Sequence, residues 1–296
     1  MQRRAVTFAS ESLRLGGDLY LPDGLEPGTR RPIVVGCSGY QGLKDMQPAR
    51  FARALVPAGY ACLSFDYRSF GVSEGQRGRL IPQEQVGDVR SAIDFLETVG
   101  EVASDQIVLV GWALGGGVAI AAAAADPRVR AVVAVNAIGD GARATRALHD
   151  EQSWRLLLDD VRRDAEVRAV NGRSRAIDPF AVVRLDEETL GYVRSELAPH
   201  AGFGTEVTLD SVEWLLRFRP EEVVDRISPR PLLLVHGAAN RLHAPEEALE
   251  LYRRAAQPKE LVLLEGTGHT EWMYDDHPTF RRLVVLILNF LRENLS

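Results

Sequence analysis

The chain has 296 residues, of which 46% are hydrophobic and 26% charged, with 35 Lys and Arg against 41 Asp and Glu. That composition belongs to a folded globular chain and excludes a disordered or collagen-like one. A formal charge of −6 argues against non-specific nucleic-acid binding.

Two cysteines, Cys37 and Cys62, cannot form a disulfide framework, and their spacing is not that of a metal site. In apolar surroundings they read as reduced, buried thiols. Met1-Gln2-Arg3-Arg4 is followed by no long apolar stretch, and the apolar runs 118–125 and 283–288 are too short to cross a bilayer. The expectation is a cytoplasmic protein without membrane contact.

In chain order, alternating apolar residues from Val6 to Leu21 predict a β-hairpin whose second arm is disturbed at Gly16-Gly17. Continuous apolar runs at 33–35, 61–65, 107–110, 129–135, 232–235 and 261–264 predict strands buried on both faces. Helical spacing lies between them: Phe51 to Val56, the stripe Val86, Val89, Ile93 and Leu96, the alanine run 119–125, Leu249 to Ala256, and Phe280 to Leu291. Asp275-Asp276 are expected to begin that last helix. Strand–helix alternation implies an α/β fold with a mostly parallel twisted sheet.

Residues 140–228 break the rhythm. They hold no convincing buried strand and are rich in Arg, Asp and Glu, with aromatics spaced between. A helical lid over a site is expected there, inserted into a core formed by 1–139 and 229–296. Trp154, Phe203 and Trp214 would give it an apolar wall, while Arg143, Arg146 and Arg155 would meet a carboxylate or phosphate.

The run from Ile107 to Val110 leads into Gly111-Trp112-Ala113-Leu114-Gly115-Gly116-Gly117 and then a helix. Strand, sharp glycine-flanked turn and helix form the context of a nucleophile elbow, with Ala113 at its centre. The chain resembles the α/β-hydrolase fold superfamily, in its esterase, dienelactone-hydrolase and acyltransferase-like branch, over nearly its whole length. Gly36-Cys37-Ser38-Gly39-Tyr40-Gln41-Gly42 resembles that family's His-Gly-x-x-Gly loop, with Ser38 in the His position. Asp66-Tyr67-Arg68-Ser69-Phe70-Gly71-Val72-Ser73 resembles its D-x-R-G-x-G-x-S segment, with Ser69 at the first glycine. His236 to Pro245 resembles the segment that carries the acid, here Asn240, and Gly266-Thr267-Gly268-His269 the one that carries the histidine.

The resemblance implies an oxyanion hole from the N–H groups of Tyr40 and Leu114. The order nucleophile, acid, histidine reads Ala113, Asn240, His269. A methyl group cannot attack a carbonyl, and an amide carries no charge to stabilise an imidazolium. Three readings follow. The first is an enzyme without a nucleophile, using His269 as general acid or base on a small carbonyl substrate, as in isomerisation, epimerisation, elimination or water-activated hydrolysis. The second is an ordinary serine hydrolase or acyltransferase altered at position 113, with Asp140, or less readily Glu271, as a relocated acid. The third is a non-catalytic protein that binds a ligand in the retained pocket.

Tyr67, Arg68, Trp112, His243 and Ser38 are candidate substrate contacts, and Cys37 a remote candidate nucleophile. No cofactor motif and no zinc-type spacing is present. The expected partner is a small molecule, with a second copy of the chain a candidate.

Overall fold

The computed structural model describes residues 1–295. An eight-stranded sheet runs through it in the order β1-β2-β4-β3-β5-β6-β9-β10. Its strands are β1 (Gln2–Ser10), β2 (Leu13–Leu21), β3 (Arg31–Cys37), β4 (Ala61–Phe65), β5 (Val102–Trp112), β6 (Val129–Val135), β9 (Leu232–Gly237) and β10 (Lys259–Leu264). From β4 to β10 every neighbouring pair is parallel, and the β1–β2 hairpin joins β4 antiparallel. The hairpin arm β2 is not interrupted at its glycines. Gly17 pairs in register with Val6 and Phe65. A Cβ there would sit 2.7 Å from the Ser64 carbonyl oxygen, and one on Gly16 2.5 Å from a Val72 methyl. Those glycines admit close neighbours and leave the strand whole.

Helices α1 (Gln47–Leu55), α2 (Pro82–Leu96), α3 (Leu114–Ala125), α9 (Glu246–Arg254) and α10 (Pro278–Asn294) connect and cover the strands. Central strands β4, β6 and β9 are buried almost throughout, as continuous apolar runs require when both faces are covered. The Ala-rich α3 packs on β5 and β6, its small side chains permitting a close approach. The last helix begins at Pro278, later than Asp275-Asp276. Pro fits the first helical position, and the His277 ring accepts the Thr279 N–H. Asp275 instead pairs with Arg50 at 3.1 Å and Arg53 at 3.4 Å.

Between β6 and β9 lie α4 (Gly141–Arg146), α5 (Glu151–Asn171), α6 (Pro179–Val182), α7 (Glu187–Tyr192) and α8 (Leu209–Leu216). A two-residue antiparallel ladder, β7 (Ala176–Ile177) with β8 (Val207–Thr208), joins them, so the segment is not wholly helical. Four aspartates, Asp140, Asp150, Asp178 and Asp186, cap α4, α5, α6 and α7 by accepting backbone N–H groups. Four of the eighteen acidic residues of this stretch are therefore accounted for by helix capping.

Strand order reverses between β3 and β5. From there the chain builds outward to β4 on one side and to β6, β9 and β10 on the other. The crevice at the carboxyl ends of β3 and β5 is where an open α/β sheet holds a ligand.

Candidate active site

Ala113 sits at that crevice with φ 53° and ψ −118°. A left-handed φ on a residue with a Cβ is strained. Its surroundings enforce it. The Ala113 N–H donates to the Val135 carbonyl at 2.9 Å, and a Cβ on Gly115 would collide with the carbonyl oxygens of Cys37 and Ser38. The turn and the β3 loop are thus in backbone contact. A Cβ on Gly39 would lie 3.1 Å from the Trp112 oxygen and 3.5 Å from the Ala113 methyl. Leu114 is the first residue of α3, so its N–H has no acceptor within the helix. The Tyr40 N–H lies on the neighbouring loop. That loop is tied to the segment above it: the Tyr40 hydroxyl donates to the Pro179 carbonyl at 3.4 Å, and the Gln41 amide donates to Thr205.

His269 approaches from the loop after β10. Asn136, at the end of β6 with φ 50°, donates from Nδ2 to the His269 carbonyl at 2.9 Å and accepts the Gly237 N–H at 2.8 Å. Asn tolerates the left-handed conformation better than most residues, because its short polar side chain bonds locally. The Glu271 carboxylate accepts the Gly268 N–H at 2.6 Å and the Thr270 N–H at 3.1 Å. The imidazole lies edge-on to Trp112 and His243, with ring centroids 5.7 and 4.9 Å apart.

Asn240 fixes the protons of His269. Its Oδ1 accepts two backbone N–H groups, from Leu242 at 3.1 Å and His243 at 3.0 Å. Those bonds orient the amide, because a reversed amide would set its NH2 against two donors. Nδ2 then faces His269 Nδ1 at 3.1 Å and donates to it. Nδ1 is an acceptor and the ring proton is on Nε2. An aspartate would do the opposite, accepting from Nδ1–H and leaving Nε2 free as a base.

The electrostatics agree. Burial, reinforced by His243 and His236, holds His269 well below the ordinary histidine value. Burial likewise takes His243 to about 3 and His236 to about 4. The three rings are neutral near pH 7. The Asn240 Nδ2–His236 Nε2 approach at 3.4 Å is donor facing donor, since His236 Nε2 already donates to the His243 carbonyl at 2.8 Å.

Above Ala113 opens a cavity of about 780 Å³, its mouth included. Tyr40, Trp112, Ala113, Leu114, His243 and His269 form its floor. Leu148, Phe180, Val183, Leu185, Phe203 and Leu215 contribute to its roof from the 140–228 segment. No Lys, Arg, Asp or Glu lines it. Arg143 is paired with Glu221 and Glu247 at 2.7 and 2.6 Å, and Arg146 and Arg155 with Glu151. They do not meet a ligand anion, because partners in the fold already hold them.

Several expected contacts lie elsewhere. Asp140 caps α4 and pairs with Arg219 at 3.0 Å, so it is no acid for His269. Glu271 is spent on backbone N–H groups. Arg68 is buried against Asp88 at 2.7 Å, and Tyr67 packs on Phe65 beneath the site. Ser38 donates its hydroxyl to the Leu43 carbonyl. Trp154 lies tilted against His149, and Trp214 lies 38% exposed under Arg217. Neither tryptophan reaches the cavity wall. Burial pushes the Cys37 thiol up to about 12, which makes it inert. Asn136 and Thr270 belong to the site without any advance signal, being single residues outside the motifs, whereas Phe180 is one of the aromatics spaced through residues 140–228.

Residues 28–275 match the model of the serine aminopeptidase S33 family. The chain belongs to this family. Its fold is that of the α/β hydrolases, and the family's members are hydrolases and acyltransferases. Among relatives of this S33 protein, a polyketide transferase from Stachybotrys chlorohalonatus, ATR5, is 29% identical over 91% of this chain and 90% of its own. Polyketide transferase grgF from a Penicillium species is 27% identical over 100% and 98%. The crystal structure of α/β hydrolase GrgF superposes with a TM-score of 0.84 at 24% identity, covering 99% of both chains. That of DcsB in complex with its substrate analogue gives 0.85 at 21%, covering 99% of this chain and 100% of the other. Among the described residues, no helix is long and apolar enough to cross a membrane, and no cluster of three or more His, Cys, Asp or Glu has metal-site geometry.

Proposed function

We propose that this protein is an enzyme that activates the carbonyl group of an uncharged, largely apolar substrate without a covalent serine step. The observation that carries the reading is the Asn240 Nδ2 to His269 Nδ1 hydrogen bond. It makes His269 a neutral imidazole with Nε2–H available, beside an elbow whose strained backbone is kept although position 113 holds only a methyl group. The substrate carbonyl oxygen would lie between the Tyr40 and Leu114 N–H groups, with His269 Nε2–H as a further donor to the charge that develops there. A neutral histidine of lowered pKa acts as an electrophile in just this way in triosephosphate isomerase.

Of the acid and base roles open to His269, the hydrogen bond favours the acid side. The cavity wall offers no carboxylate base. Reactions that need charge stabilised on oxygen, with the base supplied by water or by the substrate itself, fit best: isomerisation, elimination or water-activated hydrolysis. The apolar wall and the polyketide-transferase relatives support an oxygenated carbon chain of polyketide type as substrate. Residues 140–228 would serve as its lid.

An unmodified serine-hydrolase cycle is disfavoured, because a hydroxyl at position 113 would face a donor where it needs an acceptor. The test is turnover of a panel of neutral ketones, lactones and thioesters by the wild type, His269→Ala and His269→Gln. Loss of two or more powers of ten in both variants is expected. Turnover that survives in both would defeat the proposal. Saturable binding without turnover would make the protein a ligand carrier.

A further inference from the structure

Helix α5 carries two seams. On the inner one Leu157 and Asp164 are buried, and Arg168 ties the helix to Glu213 at 2.6 Å. The outer one is exposed and apolar at both ends. Four of the ten exposed large apolar side chains among the described residues lie on this single helix. Three of them, Leu156, Val167 and Val170, are 59%, 54% and 91% exposed. They fall on one line with Asp160 and Arg163, and the steps along it from Leu156 to Val170 are 4, 3, 4 and 3 residues. That is the heptad spacing of a coiled-coil seam, whereas a helix face turned only to water carries polar residues.

The charges in the middle of the seam are open to a further partner. Among the described residues the exposed Arg163 forms no ion pair, because the acids around it are held elsewhere. Asp159 and Glu166, which flank the seam, meet Arg162 of the same helix at 3.6 and 3.2 Å. Asp160 meets Arg175 through Oδ1 at 2.8 Å, and a carboxylate accepts more than one donor.

We propose that this seam binds a second copy of the chain, α5 against α5, antiparallel about a two-fold axis. Leu156 then meets Val167 of the second copy and Asp160 meets its Arg163, each contact occurring twice by symmetry. The register follows from the residues themselves. A slide of one heptad sets Leu156 against Asp160, or Arg163 against Val167. A parallel pair sets Asp160 on Asp160 and Arg163 on Arg163. The stated arrangement alone puts apolar on apolar and opposite charges together. Its central Asp–Arg layers fix register as a polar core residue does in a coiled coil. The seam is about 21 Å long at 1.5 Å per residue, which makes a small, reversible interface. The pairing needs nothing from His269, so it stands apart from the reaction proposed above.

Sedimentation velocity of the whole protein from about 2 to about 500 μM tests it, and the wild type should pass from monomer to dimer across that range. Val167→Glu should weaken the dimer at least about tenfold with the melting temperature unchanged, since the position is exposed. Asp160→Arg and Arg163→Asp should each be monomeric alone and should associate when mixed, because each supplies the charge the other lacks. Orientation is read with cysteines, the native Cys37 and Cys62 being buried. Leu156→Cys should form a disulfide with Val167→Cys in an oxidised mixture and none with itself. A wild type that stays monomeric at the highest concentration overturns the proposal and leaves the seam to a partner of another kind. A dimer that survives Val167→Glu, charge variants that do not associate on mixing, or Leu156→Cys that cross-links to itself overturns it as well.

Discussion

Replacing Asn240 by Asp tests the proton assignment on which the reading of the site depends. The variant keeps one oxygen where Oδ1 now accepts the Leu242 and His243 N–H groups at 3.1 and 3.0 Å. Its second oxygen replaces Nδ2, 3.1 Å from His269 Nδ1. A donor becomes a charged acceptor, so the ring proton must move from Nε2 to Nδ1. Unit charges about 4 Å apart at an effective dielectric of about 20 interact by about 4 kcal/mol, equivalent to roughly three pH units in the imidazole pKa. That opposes the lowering that burial imposes on His269. Nitrogen-detected NMR on isotope-labelled protein reads both quantities, the protonated ring nitrogen and the titration midpoint. In the wild type Nδ1 should be bare and the ring should stay neutral through mildly acidic pH. In Asn240→Asp, Nδ1 should carry the proton and the midpoint should rise by about three units. A wild-type ring already protonated at Nδ1 would refute the reasoning, as would a variant in which neither nitrogen changes.

Ester hydrolysis separates position 113 from position 240. Ala113→Ser alone should stay near background, whereas Ala113→Ser with Asn240→Asp should gain at least about a hundredfold in p-nitrophenyl ester turnover, since a serine needs a bare Nε2. Equal activity in the two variants would show that Asn240 does not set the tautomer. Asn136→Ala should cost about 3 kcal/mol in denaturant unfolding, because it strands the His269 carbonyl and the Gly237 N–H and leaves a Cβ at a left-handed φ; a loss under about 1 kcal/mol contradicts the role given to it. Acid should weaken the fold through its buried histidines. Folded values below the ordinary 6.5 mean that the unfolded chain binds more protons, so stability is complete above about 6.5 and falls as pH drops toward about 4 for His236 and about 3 for His243. Each ring contributes a slope of about 1.4 kcal/mol per pH unit in that window. Burial raises the carboxyls of Asp66 and Asp88, which act in the opposite sense, so the His243→Gln variant isolates one ring. Identical slopes in wild type and variant would mean that His243 is not held neutral.

The sheet was legible because its signal is local. A strand buried on both faces must be an unbroken apolar run, and Ile107 to Val110 or Leu232 to Val235 cannot be disguised. The elbow was legible for the same reason: Gly111 and Gly115 are demanded by backbone contacts that leave no room for a Cβ. Polar residues were read less well, because their roles depend on partners far along the chain. Arg68 serves Asp88, 20 residues on, and Arg143 serves Glu247, 104 residues on. Neither distance leaves a trace in local sequence. Asp140 shows the ambiguity most clearly. A carboxylate just past a strand end is where a relocated acid would stand, and it is equally where a helix cap stands. The gain from capping α4 and pairing with Arg219 decides between them.

Conversely, the position that looked like a loss turns out to be informative. Asn240 can be read as an acid gone missing, but the amide is better matched to its surroundings than that reading allows. A carboxylate has no hydrogen to give, while this amide accepts two N–H groups with one end and donates to an imidazole with the other. The strain at Ala113 points the same way. A φ of 53° on alanine costs of the order of 1–3 kcal/mol, and no serine remains to be aimed by it. What the turn still aims is the Leu114 N–H at the head of a twelve-residue helix, facing the crevice beside the β3 loop. Tyr40, Leu114 and the neutral imidazole of His269 line the same cavity under an apolar roof. On the proposed reading, a site with a methyl group at the elbow and hydrogen-bond donors around it would be organised around an oxygen atom that gains charge.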